Sequence, residues 1–321
     1  LLPDGTRCEL SRRGTPSILE QKRVIKRASR LHADCLVAEI MSIYPENHYF
    51  ESQRILKPHI VAVTNVRLDH SEAMGDSIED IASVLGLDVP PKSAVFVPEQ
   101  APCSSFVGAV GNSGGTLFKV TRGVAAPICE MAPDLAKREF SDNVDIAYSV
   151  ARHLKIDHKT ILNGILKAQH DIGRLRVWTA HSAGRERSFY LVNAFAANDP
   201  ESTFQILSKV LELFPASSDK VIGLLNLRAD RLPRTLQWIE ALKHGAARRF
   251  SRLYVTGGHC STLRRRLPYV EILRSRTPEG LMSNITAGIP DGAVVFGFGN
   301  IKGAGMRLVE YWNRIGEDYG I

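Results

Sequence analysis

Pro58–Gly75 reads PHIVAVTNVRLDHSEAMG. Its first six residues form a short, β-branched, apolar run closed by Asn65, the pattern of a buried parallel strand that runs out into a polar loop. That loop carries Asn65, Asp69 and His70. In open α/β sheets, ligands gather beyond the carboxyl ends of the strands. One exit therefore raises both the question of fold and the question of site.

Outward from this strand the same punctuation recurs. Thr15 followed by Pro16 is a helix-start signal, and SILEQKRVIKRASRL then carries Ile18, Val24, Ile25, Ala28 and Leu31 on one side. DCLVAEI reads as a strand ending at Glu39, and HYFESQRILKP as the helix that leads into the opening strand. SIEDIASVLG (helix), SAVFVP (strand) and TLFKVT (strand) follow, and DNVDIAYSVARHLKIDHKTILNGILKA is a helical pair. After HDIGRLRVW, read as a joint, the alternation resumes through SFYLVN, VIGLLNL, RLYVTG and AVVFGFG, each followed by a helical segment. Strands alternating with helices predict α/β architecture with parallel sheets. Two doubly wound domains, 1–176 and 177–321, are the simplest division of 321 residues.

Hydrophobic residues make up 44% and charged residues 23%, proportions of an ordinary globular chain, and no apolar run is long enough to cross a bilayer. Five cysteines without CxxC spacing argue against a disulfide framework or a structural zinc site and fit a reducing cytoplasm. The net charge of +7 favours an acidic partner. Basic and acidic residues are interspersed and no nucleic-acid-binding signature occurs, so nucleic acid is not expected.

Polar residues collect at the predicted strand ends: Glu39; Asn65, Asp69 and His70; Asn193 before AFAANDPEST; Asn226 before LRADRLPR; and FGNIKG after Gly297. Neighbouring strands could aim Glu39 and His70 at one ion; equally, His70 could cap a helix or bond Asp69. Arg228, Arg231 and Arg234 fall in a strand-to-helix turn, where guanidiniums clamp carboxylates or phosphates and a helix N-terminus adds to the pull on anions. GFGNIKGAG lacks the GxxxxGK[ST] order, so a tight strand-to-helix crossing is its default reading.

Taken together, TNVRLDHSEAMG, SDNVDIAYSVARHLKID, VNAFAANDPEST, LNLRADRLPRT and FGFGNIKGAG resemble the ligase subunit of poly-γ-glutamate synthase, a branch of the Mur ligases and folylpolyglutamate synthases. The resemblance implies a Mur-type central ATPase domain, a Rossmann-like C-terminal domain and ATP-dependent amide ligation. Cofactors would be ATP with Mg²⁺, or Mn²⁺ in its place. It implies that His70 and Glu39 bind the metal, and that Asn65 and Asp69 orient the loop and the ATP phosphates. Asn143 would lie against adenine, with Arg174 or Arg176 at the domain joint. Arg228, Asp230 and Arg231, with Arg234 and Asn193, would meet the incoming amino acid. Partners implied are glutamate, the growing poly-γ-glutamate chain, membrane subunits of the synthase and further copies of the chain, at the inner face of the cell membrane.

Three departures qualify these expectations. Mur-type enzymes carry a P-loop upstream of the Thr15 helix, and this chain opens past that point, so weak ATP binding is expected of it. SIEDIASVLG has Leu85 near the place where many Mur ligases carry a carbamylated lysine. Where relatives read Asp-Tyr-Ala-His-x-Pro, this chain has Ala194, Phe195, Ala196 and Ala197, leaving Asn198 and Asp199 as substitutes near the cofactor. These departures motivate a rival reading, a non-catalytic docking subunit of a membrane synthase.

Overall fold

The computed structural model describes residues 1–6, 8, 10, 17–68, 70–101, 103–132, 141–168, 175–182, 187–197 and 199–320. Contacts divide the chain into two units, Leu1–Met131 with Phe140–Ile165, and Ala132–Glu139 with Leu166–Ile321.

In the first unit, β1 (Ile60–Ala62), β2 (Ala94–Pro98) and β3 (Thr116–Val120) form a parallel sheet in sequential order. Around it run α1 (Glu20–Arg30), α2 (Pro45–Tyr49, continuing as a π-helical stretch Phe50–Leu56), α3 (Ser71–Met74), α4 (Ile78–Gly86), α5 (Ser104–Asn112), α6 (Ala126–Met131), α7 (Ser141–His153) and α8 (His158–Leu166). Alternation along β2 sends Val95 and Val97 against Ala82 of α4 and Phe106 and Val110 of α5, and Phe96 to the opposite face with Val120 and Ile146 of α7. The central strand β2 is thus covered on both sides, as its continuous apolar run requires.

Local chemistry starts α4 and joins it to α5. The Ser77 hydroxyl accepts from the Asp80 amide while the Asp80 carboxylate accepts from the Ser77 amide, a capping box. The Glu79 carboxylate then reaches the N-terminus of α5, accepting from the Ser105 amide at 3.1 Å and from the hydroxyls of Ser105 and Ser104. The Ser105 hydroxyl, and next its amide, hold the Glu79 carboxyl below the usual carboxylate range. A lowered folded pKa contributes stability above the unfolded pKa and loses it as pH falls through the folded one. Glu79→Gln is therefore expected to lower the melting temperature most at neutral pH, the gap to the parent closing on acidification through the carboxylate range; a gap independent of pH would contradict this account.

Two sequence expectations change here. The strand expected over DCLVAEI does not form. Residues 34–40 have no ladder partner among the described residues, β1 pairs with β2 alone, and Val37 is 93% exposed. A β-favouring run needs a neighbour to become a strand. The Thr15–Pro16 start signal lies outside the described residues, and the described helix begins at Glu20 with Leu19 at its cap position.

What fixes the backbone after Glu39 is a carboxylate that the sequence reading did not single out. Glu51 is fully buried and accepts from Gln21 Nε2 (2.9 Å), the Met41 amide (3.2 Å), the Ser42 amide (3.0 Å) and the Ser42 hydroxyl (2.5 Å). Gln21 also donates to the Glu39 carbonyl at 3.1 Å. Close by in sequence, buried His48 meets buried Asp88, Nδ1 to Oδ2 at 2.8 Å, and burial pushes the Asp88 carboxyl up despite that bond.

The second unit holds a seven-stranded sheet. Its strands are β4 (Arg176–His181), β5 (Ser188–Ala194), β6 (Val221–Leu227), β7 (Arg252–Gly257), β8 (Glu271–Ile272), β9 (Ala293–Phe298) and β10 (Glu317–Asp318), in the order β10-β4-β5-β9-β6-β7-β8. The five from β5 to β8 are parallel, whereas β4 and β10 are antiparallel at one edge. Such an edge is common on parallel sheets. The helices are α9 (Pro200–Leu213), α10 (Leu232–Lys243), α11 (Cys260–Arg266), α12 (Pro278–Thr286) and α13 (Ala304–Ile315). Leu207, Trp238, Leu242 and Leu263 from α9, α10 and α11 pack on Leu225, Val255 and Phe296; Leu281, Leu308 and Trp312 from α12 and α13 pack on Leu224, Val295 and Leu191. This unit is doubly wound.

That winding places a crevice. From β6 the chain leaves through α10 toward β7, while from adjacent β9 it leaves through α13 toward β10 and β4. Connections departing in opposite directions from neighbouring strands make a topological switch point, where the loops splay apart.

A cationic cavity at the switch point

A cavity of about 690 Å³ opens at this crevice, walled by the strand ends Asn226–Arg228 and Thr256–Gly257, the loop Leu273–Arg276 after β8, and Lys302–Ala304 with Arg307 after β9. Its rim carries Arg228, Arg274, Arg276, Lys302 and Arg307, and no carboxylate among the described residues lines it. Arg228 is clamped by the exposed Asp230, Nε to Oδ1 at 2.8 Å with a second bond from Nη2, and this bond holds the Asp230 carboxyl below its ordinary range. The other four cations have no carboxylate partner among the described residues. Like charges gathered without counter-charge favour an anionic occupant with several oxygens.

Buried amides hold the frame of the cavity. Asn226, 2% exposed, donates through Nδ2 to the carbonyls of Asn300 (2.6 Å) and Lys302 (3.0 Å), tying the end of β6 to the loop after β9. Asn300 Oδ1 accepts from the Lys302 amide at 2.9 Å. The crossing is tight: a Cβ on Gly305 would lie 2.5 Å from the Asn300 carbonyl oxygen. The glycine-rich segment is thus the close strand-to-helix passage its sequence suggests, and it also presents Lys302. Cys260, in the cavity wall, bonds the Gly257 carbonyl at 3.2 Å, and burial pushes its thiol up to about 11. Thiolate is the reactive form, so at pH 8 alkylation of Cys260 is expected to run about 100-fold slower than that of an exposed thiol; mass-spectrometric labelling that modifies it as fast as Cys8 would refute this.

The expected site residues distribute as follows. Asp69, Arg174 and Asn198 lie outside the described residues. Glu39 has an exposed side chain, and His70 adopts a left-handed backbone (φ 52°) at the start of α3, its Nδ1 3.7 Å from Glu72 Oε1. Asn65 and Asn143 are exposed, Asn65 donating to the Thr64 hydroxyl at 3.3 Å. Among the described residues, no group of three or more His, Cys, Asp or Glu is arranged to hold a metal. Next to Asn143, buried Asp145 accepts from the Gly123 and Ala125 amides, both at 2.8 Å.

In the second unit, Arg176 pairs with Asp318 at 2.8 Å and lies over the Trp178 ring, joining β4 to β10. Asp199 caps α9, accepting from the Ser202 amide at 2.8 Å. Asn193 is fully buried and accepts from the Phe195 amide. Arg231 stands at the cap of α10, and Arg234, 9% exposed, donates to Gln237 at 3.0 Å. Of the residues expected to meet substrate, Arg228 lines the cavity; Arg274, Arg276, Lys302 and Arg307 join it there. A two-residue strand gives no periodicity, so nothing marked LRSRT as a strand end. Lys302 was legible in GNIKG.

Comparison with known proteins agrees with the motifs. Residues 179–315 match the family model of the poly-gamma-glutamate synthase CapB C-terminal domain. The chain is 29% identical over 231 residues to the capsule biosynthesis protein CapB of Bacillus anthracis, covering 71% of this chain and 48% of that protein. It is 27% identical over 307 residues to the PGA synthase CapB of Bacillus subtilis (strain 168), covering 92% and 75%. It therefore spans about half the length of the first relative and three quarters of the second. Among solved structures, E. coli FolC in complex with ADP without folate substrate superposes with a TM-score of 0.58 at 14% identity, over 80% of this chain and 62% of that one. A bifunctional folylpolyglutamate synthase/dihydrofolate synthase with Mn, AMPPNP and L-glutamate bound gives 0.56 at 12% identity, over 80% and 61%. At these identities the likeness shows the fold, that of the folylpolyglutamate synthases. The resemblance to the poly-γ-glutamate synthase ligase family holds.

Proposed function

We propose that this protein is an ATP-dependent amide ligase that joins glutamate through γ-linkages. The observation that carries the reading is the cavity at the switch point of the second unit, with five cations and no carboxylate among the described residues that line it. A γ-glutamyl acceptor offers one free α-carboxylate per residue, and such a polyanion suits guanidiniums without a carboxylate partner among the described residues, as Arg274, Arg276 and Arg307 are. The relatives named as polyglutamate or capsule proteins point the same way.

A carboxylate cannot acylate an amine directly, because it would have to expel oxide. The γ-phosphoryl of ATP is transferred to a carboxylate oxygen, ADP departs, and the resulting acyl phosphate has a good leaving group. The glutamate amine attacks the acyl carbon, inorganic phosphate leaves, and the amine gives up a proton. Side chains need do no covalent work: Arg274, Arg276 and Lys302 hold the non-reacting carboxylates so that the amine approaches in line, and their charge offsets that of the substrates. Glu39 offers an exposed carboxylate, the hard oxygen donor that Mg²⁺ or Mn²⁺ takes, and His70 would add an imidazole. Glu39 and His70 would hold such an ion, which would supply charge neutralisation on the transferring phosphoryl group.

The test is release of phosphate from ATP by the protein at its full natural length, with a divalent cation and with or without glutamate. Glutamate-dependent ADP and phosphate are expected. Phosphate release indifferent to glutamate, or none at all, overturns the reading. Absence of turnover together with tight γ-glutamyl binding would instead favour a docking subunit.

A further inference from the structure

Outside the cavity, a second run of positive charge lies on α1. Arg23, Lys26, Arg27 and Arg30 border one shallow groove, and no other described residue borders it. At about 100° per residue these four positions fall within an arc of roughly 100°, one face of the helix. Val24, Ile25 and Ala28, half-buried, and Gln21, buried, lie on the opposite face and turn inward. The cations thus sit on a wall fixed by packing.

Arg23 lies 3.8 Å from Glu20, the only acidic residue of the helix, and Arg27 Nη1 contacts Cys8 Sγ at 2.7 Å. Lys26, Arg27 and Arg30 have no carboxylate partner among the described residues. Cations repeat along the helix at 23, 26 and 27, and 30, close to one per turn of 5.4 Å. Five backbone bonds separate successive α-carbons in a γ-linked glutamate chain. At about 1.2 Å of extension per bond, such a chain advances roughly 6 Å per residue. Each turn of α1 can therefore meet one carboxylate of an extended γ-glutamyl segment.

We propose that this face of α1 is a second docking surface, distinct from the cavity, for the anionic γ-glutamyl polymer. The proposal rests on the ligase reading for the identity of the polymer. A tether of this kind would raise the local concentration of chain ends without touching the reacting groups.

The experiment measures binding of a fluorescent γ-linked glutamyl oligomer by anisotropy at low and moderate salt, for the parent and for Arg23→Gln/Arg27→Gln/Arg30→Gln. Glutamate-dependent phosphate release with a short acceptor is followed in parallel. The triple variant is expected to bind the oligomer at least tenfold more weakly at low salt, with a shallower salt dependence and with unchanged phosphate release. Binding equal to the parent's overturns the proposal. So does association of the parent, lost in the variant, with vesicles of anionic phospholipid but not with the oligomer, which would make the face a membrane contact. If neither protein releases phosphate, the ligase reading fails separately, whatever the anisotropy shows.

Discussion

Replacing Arg274, Arg276 and Lys302 together by glutamine is expected to weaken binding of a γ-glutamyl oligomer at the cavity by at least about 100-fold. A charge-assisted hydrogen bond to a carboxylate contributes about 1.5–3 kcal/mol, or roughly tenfold or more each. Three would nominally give about 1,000-fold, and the exposure of these side chains discounts that figure through solvent screening. Because none of the three has a carboxylate partner among the described residues, their loss leaves no buried group stranded and the melting temperature should hold. In turnover the change should appear mainly as a raised KM for the acceptor, the signature of lost uniform binding. Calorimetric titration checks the affinity; a triple variant that binds within about twofold of the parent would remove the cavity from the acceptor site.

The second large effect is on folding. Glu51→Ala is expected to destabilise the first unit by about 3 kcal/mol or more, since stranding a buried donor costs roughly 1–3 kcal/mol. Here the Gln21 amide, the Met41 and Ser42 backbone amides and the Ser42 hydroxyl lose their acceptor at once. Against the usual 5–15 kcal/mol of total stability, that is a large fraction. Glu51→Gln should fare little better, because its amide turns a donor toward donors. Residues 39–42 hang from this carboxylate, so the backbone carrying Glu39 should loosen with it. Hydrogen exchange at the Met41 and Ser42 amides reads this directly; unchanged protection in Glu51→Ala would show that the segment is held by something else.

The sequence discloses most readily what is local and periodic. VIGLLNL and AVVFGFG are fully buried strands, and their apolar runs say so. The capping box at Ser77 and the Asp199–Pro200 start of α9 are equally local. What escaped notice is non-local. Glu51 and Gln21 lie 30 positions apart, and His48 and Asp88 40 apart, so no window reveals that they meet. RVW, the start of β4, fell in the segment read as a joint because its partners β5 and β10 come later in the chain, the latter only two residues long. DCLVAEI erred in the opposite direction, with strong β composition and no neighbour among the described residues to pair with. The cavity was half legible: Arg228 and Lys302 follow obvious strands, whereas Arg274 and Arg276 follow β8, too short to announce itself.

The claim on which the account turns is chemical: a glutamyl carboxylate is activated by taking the γ-phosphoryl group of ATP. It is tested most directly by single-turnover ligation with the acyl substrate labelled with heavy oxygen in the reacting carboxylate, the released phosphate being analysed by mass spectrometry. Attack of that carboxylate on phosphorus predicts that each phosphate formed carries one labelled oxygen. Phosphate free of label, or release of AMP and pyrophosphate in place of ADP and phosphate, would contradict it.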